Sequence, residues 1–137
     1  MSRASGILEY RLPGEWTVLV GTSDADNDRL STRIAAQSDW WFHVDGVPGS
    51  HVILRAKPAE EPSRETLKQA AAIAAYHSKA RNAGVVPVHC TLAKNVRKRR
   101  GHKAGTVEVS RGDSLKVRPD VSVAVRVADG PDSAPDL

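Results

Sequence analysis

The pattern of apolar and polar positions changes period several times along the chain. Residues 7–12 (ILEYRL) alternate, and Trp16–Val20 (WTVLV) is apolar and rich in β-branched residues. Two strands are expected there, joined at the Pro13-Gly14 turn signal and stopped at Gly21. The polar TSDADN segment offers three potential caps, and residues 28–36 read as a short helix carrying Leu30 and Ile34. Residues 40–44 (WWFHV) and 51–55 (HVILR) read as strands flanking the loop Asp45–Ser50. Pro58 and Pro62 bracket a linker. Ser63 then caps a helix expected to run to about Asn82, with Glu65 favourable in its first turn. Its alanines permit close packing on a sheet, while Leu67, Ile73 and Tyr76 supply bulk. Val86–Leu92 is the next strand, with Pro87 marking an edge or an entry point. Residues 106–110, 114–118 and 121–127 finish as short strands, with a turn at Arg111-Gly112-Asp113. The fold class is α+β: a mixed, mainly antiparallel sheet with one long and one short helix. It forms a single domain over residues 1–127, and residues 128–137 form a disordered acidic tail.

The alternation of a strand sorts its side chains by face. Trp40, Phe42 and Val44 share the natural core face; Asp39, Trp41 and His43 share the other. On that second face a carboxylate beside an imidazole would fix its tautomer or raise its pKa. Trp41 either stacks on an unpaired base or packs under the long helix. A hairpin pairing Phe42 with Val52 puts His43 opposite His51, and a shift of one residue turns them to opposite faces. Two imidazoles with no evident third ligand make a poor metal site, so neither metal nor cofactor is expected. His89 and Cys90 are neighbours on a strand and point apart, which argues against a thiol–imidazole dyad and for an ordinary, partly buried thiol.

Composition narrows the class. A chain of 137 residues, 40% hydrophobic and with one cysteine, suits one globular domain in a reducing compartment. No apolar run approaches the roughly 20 residues of a membrane-spanning helix. The first residues lack an apolar signal core, so a cytoplasmic location without a membrane partner is expected. The formal net charge of +4 is unevenly spread. Residues 1–93 hold ten basic and ten acidic residues, whereas residues 94–118 hold nine basic and two acidic. The densest stretch is Lys94, Arg97, Lys98, Arg99, Arg100 and Lys103. Such a cluster repels itself unless a polyanion is near, and phosphate backbones reward it through counterion release.

Other chemistry is sparse. Phosphate-loop, dinucleotide, nucleophile-elbow and zinc-protease signatures are all absent. Gly49 and Ser50 make either a tight, empty loop or a small anion nest with a hydroxyl donor. Lys79 and Arg81 either answer the helix dipole or extend a basic face, and Gly101 and Gly105 let the basic loop bend.

Five ordered segments carry a resemblance. Asp39-Trp40-Trp41-Phe42-His43-Val44 with Pro48-Gly49-Ser50-His51-Val52 resembles the signature of the NFACT-R RNA-binding domain, the RNA-binding module of proteins that add tails to nascent chains on stalled large ribosomal subunits. Val20-Gly21 followed by Asn27-Asp28, the helix Ala71–Arg81, the strand Val86–Thr91 and the loop Lys94–Gly105 are similar to further family motifs. Where the family usually has a proline after the second loop lysine, Arg99-Arg100 stands here and makes the loop more basic. Full-length tailing proteins carry further domains that do not fit in this length, so the chain resembles a stand-alone module and tail synthesis is not carried over.

The resemblance implies a non-catalytic protein that binds structured RNA, either tRNA or ribosomal RNA, with the large ribosomal subunit as a further partner. The expected RNA-binding residues are Asp39, Trp41, His43, Gly49, Ser50, His51, Lys79, Arg81, Lys94, Arg97, Lys98, Arg99, Arg100 and Lys103. One rival is an enzyme acting in tRNA modification or on a nucleotide, with His43, His51, Asp39 and Ser50 lining its pocket. The other is a protein adaptor.

Overall fold

The computed structural model describes residues 6–127, so the expected acidic tail lies outside the described residues. Nine strands are described: β1 (Ile7–Leu12), β2 (Trp16–Gly21), β3 (Trp40–Val44), β4 (Val52–Leu54), β5 (Val86–Leu92), β6 (Val96–Arg97), β7 (Glu108–Val109), β8 (Asp113–Val117) and β9 (Val125–Val127). Two α-helices accompany them, α1 (Asp24–Arg29) and α2 (Arg64–Tyr76). The α+β class is as expected. The main sheet runs β8-β5-β3-β4-β2-β1-β9, and β6 pairs with β7 in a small separate ribbon. Every described pairing is antiparallel, so the sheet is not mixed. Pro87 sits on the inner strand β5 opposite Lys116 of the edge strand β8, near the start of β5.

Each face of the sheet has its own core. On one face Phe42, Val44, Val18, Val20, Val52 and Leu54 meet Ala70, Ala71, Ile73, Ala74 and Ala75 of α2. The alanines let the helix lie close to the strands, and Ile73 fills the remaining space. Ser63 caps α2 by accepting the Thr66 N–H at 3.0 Å, a contact worth about 1 kcal/mol. Cys90 lies in this core, where burial pushes its thiol up to about 12 and keeps it from acting as a nucleophile. On the other face Trp41 and Ile53 pack with Leu30 and Val96.

Two helices differ from the expectation. The short one begins earlier, because Ser23 accepts the Asp26 N–H at 3.1 Å and Asp24 and Asp26 occupy its first turn. It continues as a π-helical turn, Leu30–Ile34, and stops at Ala35. The long helix ends at Tyr76, not near Asn82. Beyond it the Ser50 N–H donates to the His77 carbonyl at 2.9 Å and the Lys79 N–H to the Pro48 carbonyl at 2.9 Å, so this stretch pairs with the 48–50 loop. A side chain at Gly49 would put its Cβ 2.7 Å from Ser78 Cβ and 3.0 Å from Val44 Cγ1, so the approach requires glycine. The expected strands at 51–55, 106–110 and 121–127 shrink to β4, β7 and β9.

Candidate nucleic-acid interface

The basic segment leaves β5 through a 3₁₀ turn, Ala93–Asn95, and forms the β6–β7 ribbon with a loop between the strands. The loop is folded, not open. His102 N–H donates to the Arg99 carbonyl at 3.1 Å, and Thr106 N–H to the Lys103 carbonyl at 3.1 Å. Gly101 and Gly105 adopt φ of 89° and 85°, the left-handed region that glycine enters without strain.

Lys94, Arg97, Arg99, Arg100 and Lys103 are exposed, and Lys98 is half-buried. Arg99 Nε donates to Glu108 Oε1 at 2.7 Å, an exposed pair that salt screens readily. Lys98 turns inward. Its ammonium lies 3.1 Å from Asp28 Oδ2, donates to the Thr106 carbonyl at 2.9 Å, and also donates to the Lys103 carbonyl. Among the described residues, Lys94, Arg97, Arg100 and Lys103 have no carboxylate within salt-bridge distance.

Beside this loop a slot of about 350 Å³ opens, lined by Trp41, His43, Asp45, His51 and His89 together with Gly105, Thr106, Val107 and Val109. β3 and β4 pair with Phe42 opposite Val52, the register that sets His43 across from His51; their rings stand 5.5 Å apart at 89°. β5 then puts His89 opposite His43 from the other side. Burial and the neighbouring His43 hold His51 down to about 4, and burial lowers His43 as well. Both of these imidazoles thus favour the neutral form. Among the described residues, no cluster of three or more His, Cys, Asp or Glu side chains is placed to hold a metal ion.

Trp41 is only 3% exposed. It packs on the face opposite α2, not under it, and donates its indole N–H to Ser31 Oγ at 2.9 Å. Its ring lies nearly parallel to His43, at 6.0 Å between centroids. Asp39, also 3% exposed, does not pair with an imidazole. Its carboxylate accepts the N–H groups of Ala36 (2.9 Å) and Ala56 (2.7 Å) and pairs with Arg55 at 3.1 Å, tying three segments together.

A second cleft, of about 450 Å³, gathers Gly49, Ser50, Lys79 and Arg81 with Thr22, Ser23, Asp24 and Asn27. The Ser50 N–H is committed to His77, and the Thr22, Ser23 and Ser78 hydroxyls donate to the Gly6 carbonyl, Asp26 and the Ala75 carbonyl. This leaves the Ser50 hydroxyl, Lys79 and the outer guanidinium nitrogens of Arg81 as the cleft's donors. Arg81 is held by its Nε bond to the Tyr76 carbonyl at 2.7 Å and lies over the Tyr76 ring at 4.1 Å. His77 Nε2 and the Tyr10 hydroxyl share a hydrogen bond at 2.8 Å, and burial together with Arg81 and Arg126 lowers His77 to about 4.

Sequence pattern alone passes over Asp28, Ser31 and Asn27, which hold the candidate residues in place. Asn27 Oδ1 accepts the His51 N–H at 3.0 Å, Ser31 joins Trp41 to His51, and Asp28 receives the basic loop. Asn27 and Asp28 are signalled by the family resemblance, which does not give their contacts, and Ser31 in the π-helical turn is signalled only by its polarity.

An antiparallel sheet covered on both faces, with a folded cationic loop beside two polar clefts, has the make-up of a nucleic-acid-binding domain. Residues 9–111 match the NFACT protein RNA binding domain, and the chain belongs to that family. It is 40% identical over 118 residues to the Rqc2 homolog RqcH of Bacillus subtilis (strain 168), a match covering 86% of this chain and 20% of that protein. It is 38% identical over 106 residues to the Rqc2 homolog RqcH of Streptococcus suis (strain 05ZYH33), covering 77% of this chain and 19% of the relative. The chain therefore spans about a fifth of the length of these curated relatives. Among solved structures it resembles the C-terminal part of the fibronectin/fibrinogen-binding protein from Streptococcus suis, with a TM-score of 0.81 and 34% identity over 89% of this chain and 48% of that one.

Proposed function

We propose that the chain binds structured RNA, tRNA or ribosomal RNA, without catalysing a reaction, in the service of ribosome quality control. The observation that carries this reading is the folded basic loop. It holds Arg97, Arg100 and Lys103 exposed on one rigid support, with Lys94 at its root and no carboxylate partner for any of the four among the described residues. Cations fixed in this way release counterions from a phosphate backbone without first being ordered. Lys79 and Arg81, in the hydroxyl-lined cleft, extend the same kind of contact. Family membership and the names of the relatives support the link to quality control. A cytoplasmic location is part of the same proposal; among the described residues no helix is long and apolar enough to cross a membrane.

The enzyme reading gains nothing from the geometry. Ser50 lines one cleft, His43 and His51 line the other, and Asp39 is occupied with backbone donors and Arg55. The test is an anisotropy titration of a labelled tRNA transcript and a ribosomal RNA fragment across a salt series. Joint replacement of Lys94, Arg97, Arg100 and Lys103 by methionine should weaken binding. It should also reduce the salt slope by about 0.7–0.9 for each phosphate that the protein ceases to neutralise. An unchanged slope would remove the loop from the interface.

A further inference from the structure

Lys98 belongs to the densest cationic stretch of the chain, yet its charge does not face outward. An ammonium has three N–H donors. Here they are used by the Asp28 carboxylate, the Thr106 carbonyl and the Lys103 carbonyl. The loop therefore closes around the Lys98 nitrogen, and a phosphate can take a donor from it only by breaking the loop.

Asp28 is the other half of the closure. Its Oδ1 accepts the Gly105 N–H at 3.0 Å, and both of its carboxylate oxygens lie within 3.3 Å of the Lys98 nitrogen. One carboxylate on α1 thus binds the loop at two points seven residues apart in sequence. The seat is also selective in shape. Gly105 has a φ of 85°, and a Cβ there would come within 2.7 Å of Asp24 Oδ1. A side chain is excluded on both counts.

We propose that Asp28 is the positioning residue that clamps the basic loop to α1 through Lys98 and Gly105, and that Lys98 shapes the RNA-facing surface without contacting RNA. This rests on the RNA-binding reading above and assigns opposite roles to cations that look alike in the sequence. It also reverses a simple electrostatic expectation. Removing Asp28 makes the protein more positive, which by itself favours a polyanion. Loss of the clamp does the opposite, because the free loop must be ordered again on binding.

The experiment uses the whole chain with Asp28→Ala, Asp28→Asn, Lys98→Met and Arg100→Met, and a fluorescein-labelled tRNA transcript as probe. Amide hydrogen exchange is first followed in the free proteins. Gly105 N–H should be protected in the parent and lose protection in D28A. It should recover partly in D28N, whose side chain keeps the acceptor. Lys98→Met should expose the Thr106 N–H, and it carries the test if D28A fails to fold. In the titrations D28A should bind at least threefold more weakly. Lys98→Met should also bind more weakly but keep the parental salt slope, whereas Arg100→Met should lower the slope by about 0.7–0.9. Tighter binding by D28A, unchanged Gly105 protection in that variant, or a slope loss in Lys98→Met equal to that in Arg100→Met would each overturn the proposal. Failure of the parent to bind the transcript would instead count against the RNA reading, while the exchange data still decide the clamp.

Discussion

Trp41 donates its indole N–H to the Ser31 hydroxyl across 2.9 Å, with both residues buried beneath the cationic side of the sheet. An indole is a donor only, so Ser31 accepts here and its own proton is free to be donated onward. Ser31 Oγ also shares a hydrogen bond with His51 Nδ1 at 2.7 Å. Burial and the neighbouring His43 favour the neutral form of His51. The chain Trp41–Ser31–His51 fixes the orientation of two residues that the family resemblance puts among the expected RNA-binding set. Ser31→Ala strands the indole N–H and the imidazole Nδ1 together. It should cost about 1–3 kcal/mol in a urea melt, since buried groups lose their partners while little volume is removed.

Acid should weaken the fold through its histidines. His51 and His77 each have a folded-state pKa of about 4, below the ordinary 6.5 that the unfolded chain regains. As pH falls below about 6.5 the unfolded state takes up protons first, so stability drops progressively until about pH 4 and then levels off. Well above about 6.5 these two groups contribute no pH dependence. The slope in that window is at most about 1.4 kcal/mol per pH unit for each group, and less for the more accessible His77. Urea midpoints between about pH 4 and 7.5 should show this, and His51→Gln should show a shallower decline. An equally steep decline in that variant would mean that other groups carry the effect.

The contact of the 48–50 loop with the end of α2 should tolerate no side chain at Gly49. A Cβ there meets Ser78 Cβ at 2.7 Å and Val44 Cγ1 at 3.0 Å, and Ser78 is held by its own bond to the Ala75 carbonyl. Gly49→Ala is expected to cost about 1–3 kcal/mol as an overpacked contact. It should also weaken RNA binding by spreading Ser50 away from Lys79 and Arg81. Denaturant melts and the same titrations check both effects. A variant as stable as the parent would show that the pairing of Gly49 with Ser78 is loose.

Much of this arrangement is legible in the chain. The alternation in WWFHV separates Phe42 and Val44 from Trp41 and His43, and the structure keeps that division. The apolar residues between turn signals locate β1 to β5 to within a residue or two. The helix boundaries are less legible. Ser23 starts α1 by accepting the Asp26 N–H, ahead of the apolar residues that signal a helix. α2 stops because Ser78 pairs with a loop almost thirty residues earlier.

The site divides in the same way. Local pattern and composition determine the α+β class, the two faces of β3 and the concentration of positive charge, because each depends on neighbours within a few residues. Only tertiary structure decides which like residues do unlike things. Lys98 turns inward because Asp28, seventy residues away, accepts its charge, while Arg100 and Lys103 stay exposed. His89 joins His43 and His51 because three strands from separate parts of the chain align in one register. Trp41 is buried because the π-helical turn after α1 and the β6–β7 ribbon close over its face of the sheet. A side chain's burial and partners are properties of the surfaces that meet around it, and a sequence states those surfaces one at a time.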